Sequence, residues 1–273
     1  MTQNHLTARL ARAEQVAGRA ARLALDHYHR RDALVIETKR HPTDLVSEAD
    51  RAVEALIRDA LADAFPDDAL LGEELGLTPG TSGVTWIIDP IDGTAPYLNG
   101  LPGWCVSIGA MDGDGPAIGV IAAPMLNETF TAMRGGPARL NGATITASRL
   151  DLQHGMLGVG ANDRVPAARV GEMLGALTGA GSSWIRYGSG ALMLAWVAAG
   201  RLVGYVEPRM SAWDCMAGYC LIGAAGGRLL PFPADEQGLI RPAPVLGANC
   251  ASYDDLLRLT RLDDDRFWTT TAG

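Results

Sequence analysis

The stretch Trp86-Ile87-Ile88-Asp89-Pro90-Ile91-Asp92-Gly93-Thr94-Ala95-Pro96-Tyr97 constrains this chain more than any other. Its start is apolar and β-branched, which reads as a buried strand, and Pro90 cannot donate to a ladder, so the strand is expected to stop at Asp89. Asp89 and Asp92 then flank a break where Pro90 holds one φ and Gly93 permits a sharp turn. Thr94 is a suitable N-cap and Pro96 suits a first helical turn, so a helix is expected there with free N–H groups facing the acids. Either acid alone could be a helix cap. Together they repel unless something positive sits between them, and an Asp-rich oxygen set without a nearby Lys or Arg suits a hard cation such as Mg²⁺. A cation site beside an anion-accepting helix start is the pairing that phosphoryl chemistry needs.

The chain can bury such a site. Its 273 residues, 48% hydrophobic, suffice for one large domain or two intimately packed ones. A net charge of −8 argues against nucleic-acid binding, which depends on clustered Lys and Arg. Cys105, Cys215, Cys220 and Cys250 form no CxxC pair and are expected to be reduced core thiols. There is no basic leader followed by an apolar core, and no apolar run of membrane-spanning length, so a soluble cytoplasmic protein without a membrane partner is expected.

Along the chain, Leu6 to His29 is Ala- and Leu-rich with helical spacing, Ala33 to Glu37 reads as a strand, and Lys39 to Asp44 as a loop. Ser47 opens a second helix, with Val53, Leu56, Ile57 and Leu61 as its apolar stripe. Leu70-Leu71-Gly72-Glu73-Glu74 is a short strand ending in paired acids, and Gly76 to Val84, rich in Gly, Thr, Ser and Pro, is expected to be a mobile loop. Trp104 to Met111, Pro116 to Ala123 and Glu128 to Arg134 form an antiparallel meander. A boundary near residue 148 divides residues 1–148, an α+β half, from 149–273, an α/β half in which strands Ser183 to Arg186, Leu202 to Val206 and Arg228 to Leu230 alternate with helices Ala191 to Ala199 and Ala212 to Gly223. Gly188-Ser189-Gly190 precedes one of these helices, which is either an ordinary capped start or a place where N–H groups approach an anion or hydroxyl. The tail through Asp263-Asp264-Asp265 reads as a solvated acidic end.

The Asp89-Pro90-Ile91-Asp92-Gly93-Thr94 run resembles the signature of the inositol monophosphatase family, within the lithium-sensitive, Mg²⁺-dependent phosphatases. Three further blocks resemble that family in its order: Lys39 through Asp44-Leu45-Val46-Ser47 to Asp50, then Gly72-Glu73-Glu74, then Trp213-Asp214 through Ala217-Gly218. The resemblance implies a layered αβαβα sandwich of the inositol monophosphatase/fructose-1,6-bisphosphatase type. It implies that Glu73, Asp89 and the Ile91 carbonyl hold one Mg²⁺ and that Asp89, Asp92 and Asp214 hold another, with two or three ions in all and Mn²⁺ as a possible substitute. Thr94, helped by Asp50 or Glu73, would orient the attacking water. Asp92, Gly93, Thr94, Gly188, Ser189, Gly190 and Glu207 would meet substrate, with Lys39 and Glu74 supporting the metal ligands.

The activity so implied is hydrolysis of a small phosphorylated polyol or sugar resembling inositol 1-phosphate, inhibited by lithium, in a homodimer. Histidinol phosphate, fructose 1,6-bisphosphate and 3′-phosphoadenosine 5′-phosphate are alternative substrates, and a non-catalytic metal- or sugar-phosphate-binding regulator is the alternative outside catalysis. The chain departs from the family at Ala95-Pro96-Tyr97, where Thr-Asn-Phe is usual, and near Ala161 or Asn162, where a pocket serine is replaced. Arg209, two residues beyond Glu207, could meet a second anionic group or lie on the surface.

Overall fold

The computed structural model describes residues 1–31, 36–38, 45–233 and 239–269. Lys39, Asp44 and the loop expected around them lie outside the described residues, as does most of the strand expected at residues 33–37. The first elements are α1 (Gln3–Tyr28), β1 (Ile36–Thr38), β2 (Leu45–Ser47), α2 (Glu48–Ala64), β3 (Ala69–Gly72), β4 (Gly76–Thr78), β5 (Thr85–Asp92) and α3 (Thr94–Leu98). The meander follows as β6 (Cys105–Asp112), β7 (Gly115–Ala123) and β8 (Glu128–Met133), with the short β9 (Arg139–Leu140) and β10 (Ala143–Thr144). Then come β11 (Met156–Val159), α4 (Ala167–Gly179), β12 (Ser183–Ile185), α5 (Gly190–Ala198), β13 (Gly204–Met210) and α6 (Ala212–Ala224). The last are β14 (Arg228–Leu229), β15 (Ala243–Ala248), α7 (Tyr253–Thr260) and α8 (Asp265–Thr269).

Among the described residues β1 and β2 pair as a two-stranded antiparallel sheet, and two larger sheets organise the other elements. The eight-stranded sheet runs β10-β9-β8-β7-β6-β5-β3-β4 and the five-stranded sheet β12-β11-β13-β15-β14. In the first only β3 and β5 pair in parallel; in the second β11 is parallel to β12 and β13, while β15 is antiparallel to β13 and β14. Side chains on β5 alternate between two cores, as the period of a strand dictates. Trp86 and Ile88 pack with α1 and α2, whereas Ile87 faces α5 and α6. Tyr205 of β13 joins that second core from the other side, and Val206 points to a third core with Met173 and Leu177 of α4, Leu256 of α7 and Trp268 of α8. The result is the expected αβαβα layering. α5 and α6 are apolar nearly all round because they lie between two sheets; of their residues only Asp214 carries a charge. Each fully buried Trp, Ile or Leu in these layers contributes about 1.5–3 kcal/mol from area removed from water.

Some local expectations are corrected. Pro90 does not end the strand: β5 runs on to Asp92, with a register shift between Asp89 and Asp92 against β6. The bulge leaves an unpaired position in which a residue lacking an N–H is tolerated. Gly76 to Thr78, inside the expected mobile loop, is an edge strand paired to β3. The strand expected to stop at Val206 continues through Glu207 to Met210. Cys105, Cys215 and Cys220 are buried free thiols, but Cys250 is exposed. No helix among the described residues is long and apolar enough to cross a membrane.

Candidate metal and substrate site

The β5 bulge builds the site. Asp89 and Asp92 both sit at the end of β5, buried, and the Ile91 N–H donates to Asp89 Oδ1 at 3.0 Å. The chain then turns at Gly93, whose φ of +95° is open to glycine at little strain. Gly93 rather than Thr94 is therefore the N-cap residue of α3. Thr94 is its first helical residue, and its hydroxyl donates to the Ile91 carbonyl at 3.3 Å. Asp214 arrives from the other half of the chain, in the first turn of α6, where its Oδ2 accepts the Ser211 N–H at 3.1 Å. Carboxylate oxygens of Asp89, Asp92 and Asp214 lie within 4.8 Å of one another.

Among the described residues no ion pair reaches Asp89, Asp92 or Asp214. Burial, then the charges of Glu73, Asp92 and Asp214, push Asp89 well above the usual carboxylate range. Asp214 is raised by burial and by Asp92, Glu73 and Glu207. Burial pushes Asp92 up to about 6 against two hydrogen bonds that favour its charge, from the Ser189 hydroxyl at 2.5 Å and the Ala191 N–H at 2.7 Å. A buried, mutually repelling, all-oxygen set of this kind fits a hard divalent cation.

Glu73, in the turn after β3, acts electrostatically on all three acids but stands outside the 4.8 Å cluster. Glu74 donates its main-chain N–H to Glu54 of α2. Asp50 is buried in the first turn of α2, and its charge, after burial itself, raises the hydroxyl of Tyr97, three residues beyond Thr94 in α3. Ser189 caps α5, accepting the Leu192 N–H at 3.3 Å. The anion received at the start of α5 is thus the protein's own Asp92, which takes both the Ser189 hydroxyl and the Ala191 N–H.

A cavity of about 130 Å³ opens beside the cluster, and Gly188, Ser189 and Gly190 line it together with Glu207 and Arg186. Glu207 is half-buried and accepts the Tyr205 hydroxyl at 2.5 Å and Asn162 Nδ2 at 2.8 Å. Burial raises its carboxyl, opposed by those two hydrogen bonds and by the charges of Arg164 and Arg186. A Cβ at Gly160 would overlap the Glu207 carboxylate and the Tyr205 hydroxyl, so only glycine leaves this pair its place. Arg209 donates to the largely exposed Asp265 and to the Pro208 carbonyl and is not among the residues lining the cavity. Arg186 lines the cavity instead and was missed. Tyr205 was also missed, although its place two residues before Glu207 on one strand face was a usable signal.

The model of the inositol monophosphatase family matches residues 5–258. The Nus factor SuhB of Haemophilus influenzae is 34% identical over 251 residues, covering 90% of this chain and 93% of that protein. The crystal structure of the extragenic suppressor protein suhB from Bartonella henselae superposes with a TM-score of 0.85 at 30% identity, covering 94% of this chain and 98% of that one. An IMPase of Thermotoga maritima superposes with a TM-score of 0.82 at 28% identity, covering 95% and 99%. With its family signature matched over nearly the whole length and its layers shared with these structures, the chain belongs to the inositol monophosphatase family.

Proposed function

We propose that this protein is a Mg²⁺-dependent phosphomonoesterase that hydrolyses a small phosphorylated polyol or sugar of the inositol 1-phosphate kind. The observation that carries this reading is the cluster of buried Asp89 and Asp92 with half-buried Asp214, which reaches the Glu207 cavity through Asp92 and Asp214. Asp89 would hold divalent cations together with Glu73 and the Ile91 carbonyl, and together with Asp92 and Asp214. Bound there, divalent cations neutralise phosphate oxygens and lower the pKa of a water molecule. Thr94, assisted by Asp50 or Glu73, orients that water in line with the ester bond. A P–O bond forms to the oxygen of that water as the ester P–O bond breaks; the attacking water gives up one proton and the departing alkoxide gains one, so that the products are the alcohol and inorganic phosphate. The main-chain N–H groups of Gly93 and Thr94 receive remaining phosphate charge. Glu207, held by Tyr205 and Asn162, accepts hydrogen bonds from substrate hydroxyls. Lithium inhibition and a homodimeric state belong to the same reading.

A second reading draws on the name Nus factor carried by curated relatives such as the Haemophilus protein: a regulator that keeps the scaffold without turnover. Phosphate release separates the two readings. Inositol 1-phosphate, histidinol phosphate, fructose 1,6-bisphosphate and 3′-phosphoadenosine 5′-phosphate are each incubated with the protein in Mg²⁺ and in EDTA. Release that needs Mg²⁺ and favours the polyol ester is expected. A folded, metal-binding protein inactive on every ester would overturn the enzymatic reading in favour of the regulator.

A further inference from the structure

α2 presents three buried polar side chains one turn apart, Asp50, Glu54 and Arg58, exposed by only 1%, 0% and 8%. Glu54 reaches under the turn that follows β3. Its Oε2 accepts the Glu74 N–H at 2.8 Å, and its Oε1 accepts the Leu75 N–H at 3.1 Å and Arg58 Nε at 2.7 Å. Arg58 continues the chain of contacts to the Thr78 hydroxyl at 3.1 Å and to the Gly76 carbonyl. The Glu73 N–H is itself fastened to the Ile88 carbonyl at 3.2 Å. A Cβ at Gly72 would overlap the Glu54 carboxylate, so the strand end is shaped to admit it.

Stability alone does not account for this ion pair. Desolvating a carboxylate and a guanidinium offsets most of their attraction, and apolar packing of similar volume generally stabilises as well. What the pair supplies is geometry, because it fixes the main chain immediately after Glu73 while the Ile88 carbonyl holds the Glu73 N–H itself. We propose that Glu54 is a positioning residue of the metal site, holding the Glu73 turn so that the Glu73 carboxylate faces Asp89 before any ion arrives. The inference rests on Glu73 being a metal ligand, as proposed above. α2 would then serve the site twice from one face, through Asp50 and, one turn later, through Glu54.

The test is Mn²⁺ binding, followed by the electron paramagnetic resonance signal of free Mn²⁺, in the wild type, Glu54→Gln, Arg58→Lys, Glu73→Gln and the Glu54→Gln/Glu73→Gln double variant. Gln keeps the size of Glu54 and one acceptor oxygen. With circular dichroism unchanged, Glu54→Gln should weaken Mn²⁺ binding about 10-fold, the usual scale for groups that orient a ligand. Arg58→Lys should weaken it less, in the same direction. In the Glu73→Gln background, Glu54→Gln should add no further loss. Wild-type affinity in folded Glu54→Gln would overturn the proposal, as would an equal loss in both Glu73 backgrounds. If Glu54→Gln does not fold, Arg58→Lys carries the same comparison across the two backgrounds and the same two results overturn it. Unchanged binding in Glu73→Gln alone would instead remove the ligand assignment of Glu73 and the inference built on it.

Discussion

Replacing Asp92 by asparagine should stabilise the metal-free protein at neutral pH while removing its activity. Burial holds the Asp92 carboxyl at about 6 instead of 3.8, despite the hydrogen bonds from Ser189 and Ala191. A rise of that size corresponds to about 3 kcal/mol. Because the folded value is raised, this contribution to stability is fully present below pH about 3.8 and is lost as the pH climbs through about 6, so at pH 7.5 the whole penalty is felt. Asparagine is neutral and of the same shape. Both donors point at one oxygen, Oδ2, and the amide oxygen can stand in its place, although losing the charged acceptor weakens the two bonds by on the order of 1 kcal/mol. The net gain is about 2 kcal/mol, or roughly 4–8 °C in Tm for a chain of this size. Thermal unfolding followed by circular dichroism in EDTA reads this directly. Asp92→Asn should melt higher than the wild type at pH 7.5 and no higher at pH 4. Saturating Mg²⁺ should narrow or reverse the difference, since only the wild type has its full set of ligands. A variant that melts below the wild type in EDTA at pH 7.5 would refute the reasoning, because Asp92 would then be compensated by the protein itself.

Asp89→Asn should abolish turnover of every ester while leaving the circular dichroism spectrum unchanged; activity near that of the wild type would rule out Asp89 as the shared ligand. Gly160→Ala pushes a methyl group into the Glu207 and Tyr205 pair, so KM for hydroxylated esters should rise about 10-fold or more while hydrolysis of p-nitrophenyl phosphate stays within a few-fold. Equal losses on both substrates would deny Glu207 a role in hydroxyl recognition. Arg209→Ala breaks a pair with the exposed Asp265, so stability should fall by no more than about 1 kcal/mol and KM for a bisphosphate should not change. A KM raised 10-fold would put Arg209 back at the substrate.

Much of this protein is written in local sequence. Asp89 and Asp92 announce a site because Pro90 and Gly93 restrict the backbone between and after them, and α5 and α6 announce their burial by lacking a polar face. The meander β6 to β8 follows from apolar runs cut by turn residues, whereas the roles of Asp214 and Glu207 are what the family resemblance implies. Other features depend on partners far along the chain. Pro90 lies within β5 because β6 accommodates a bulge opposite it, and Gly76–Thr78 becomes a strand only by pairing with β3. Gly171 and Gly175 depress the helical signal of α4, and Met173 and Leu177 packed in the third core settle it. Ser189 reads equally as an ordinary helix cap or as a partner for an anion or hydroxyl, and docking of α5 against the end of β5 brings it to Asp92, 97 residues earlier. Arg186 and Arg209 are indistinguishable as letters, and only the fold turns one into the cavity and the other toward Asp265. Periodicity and restricted dihedrals act between neighbours and can be read from the chain alone, whereas which charge meets which is decided when the layers close and water leaves.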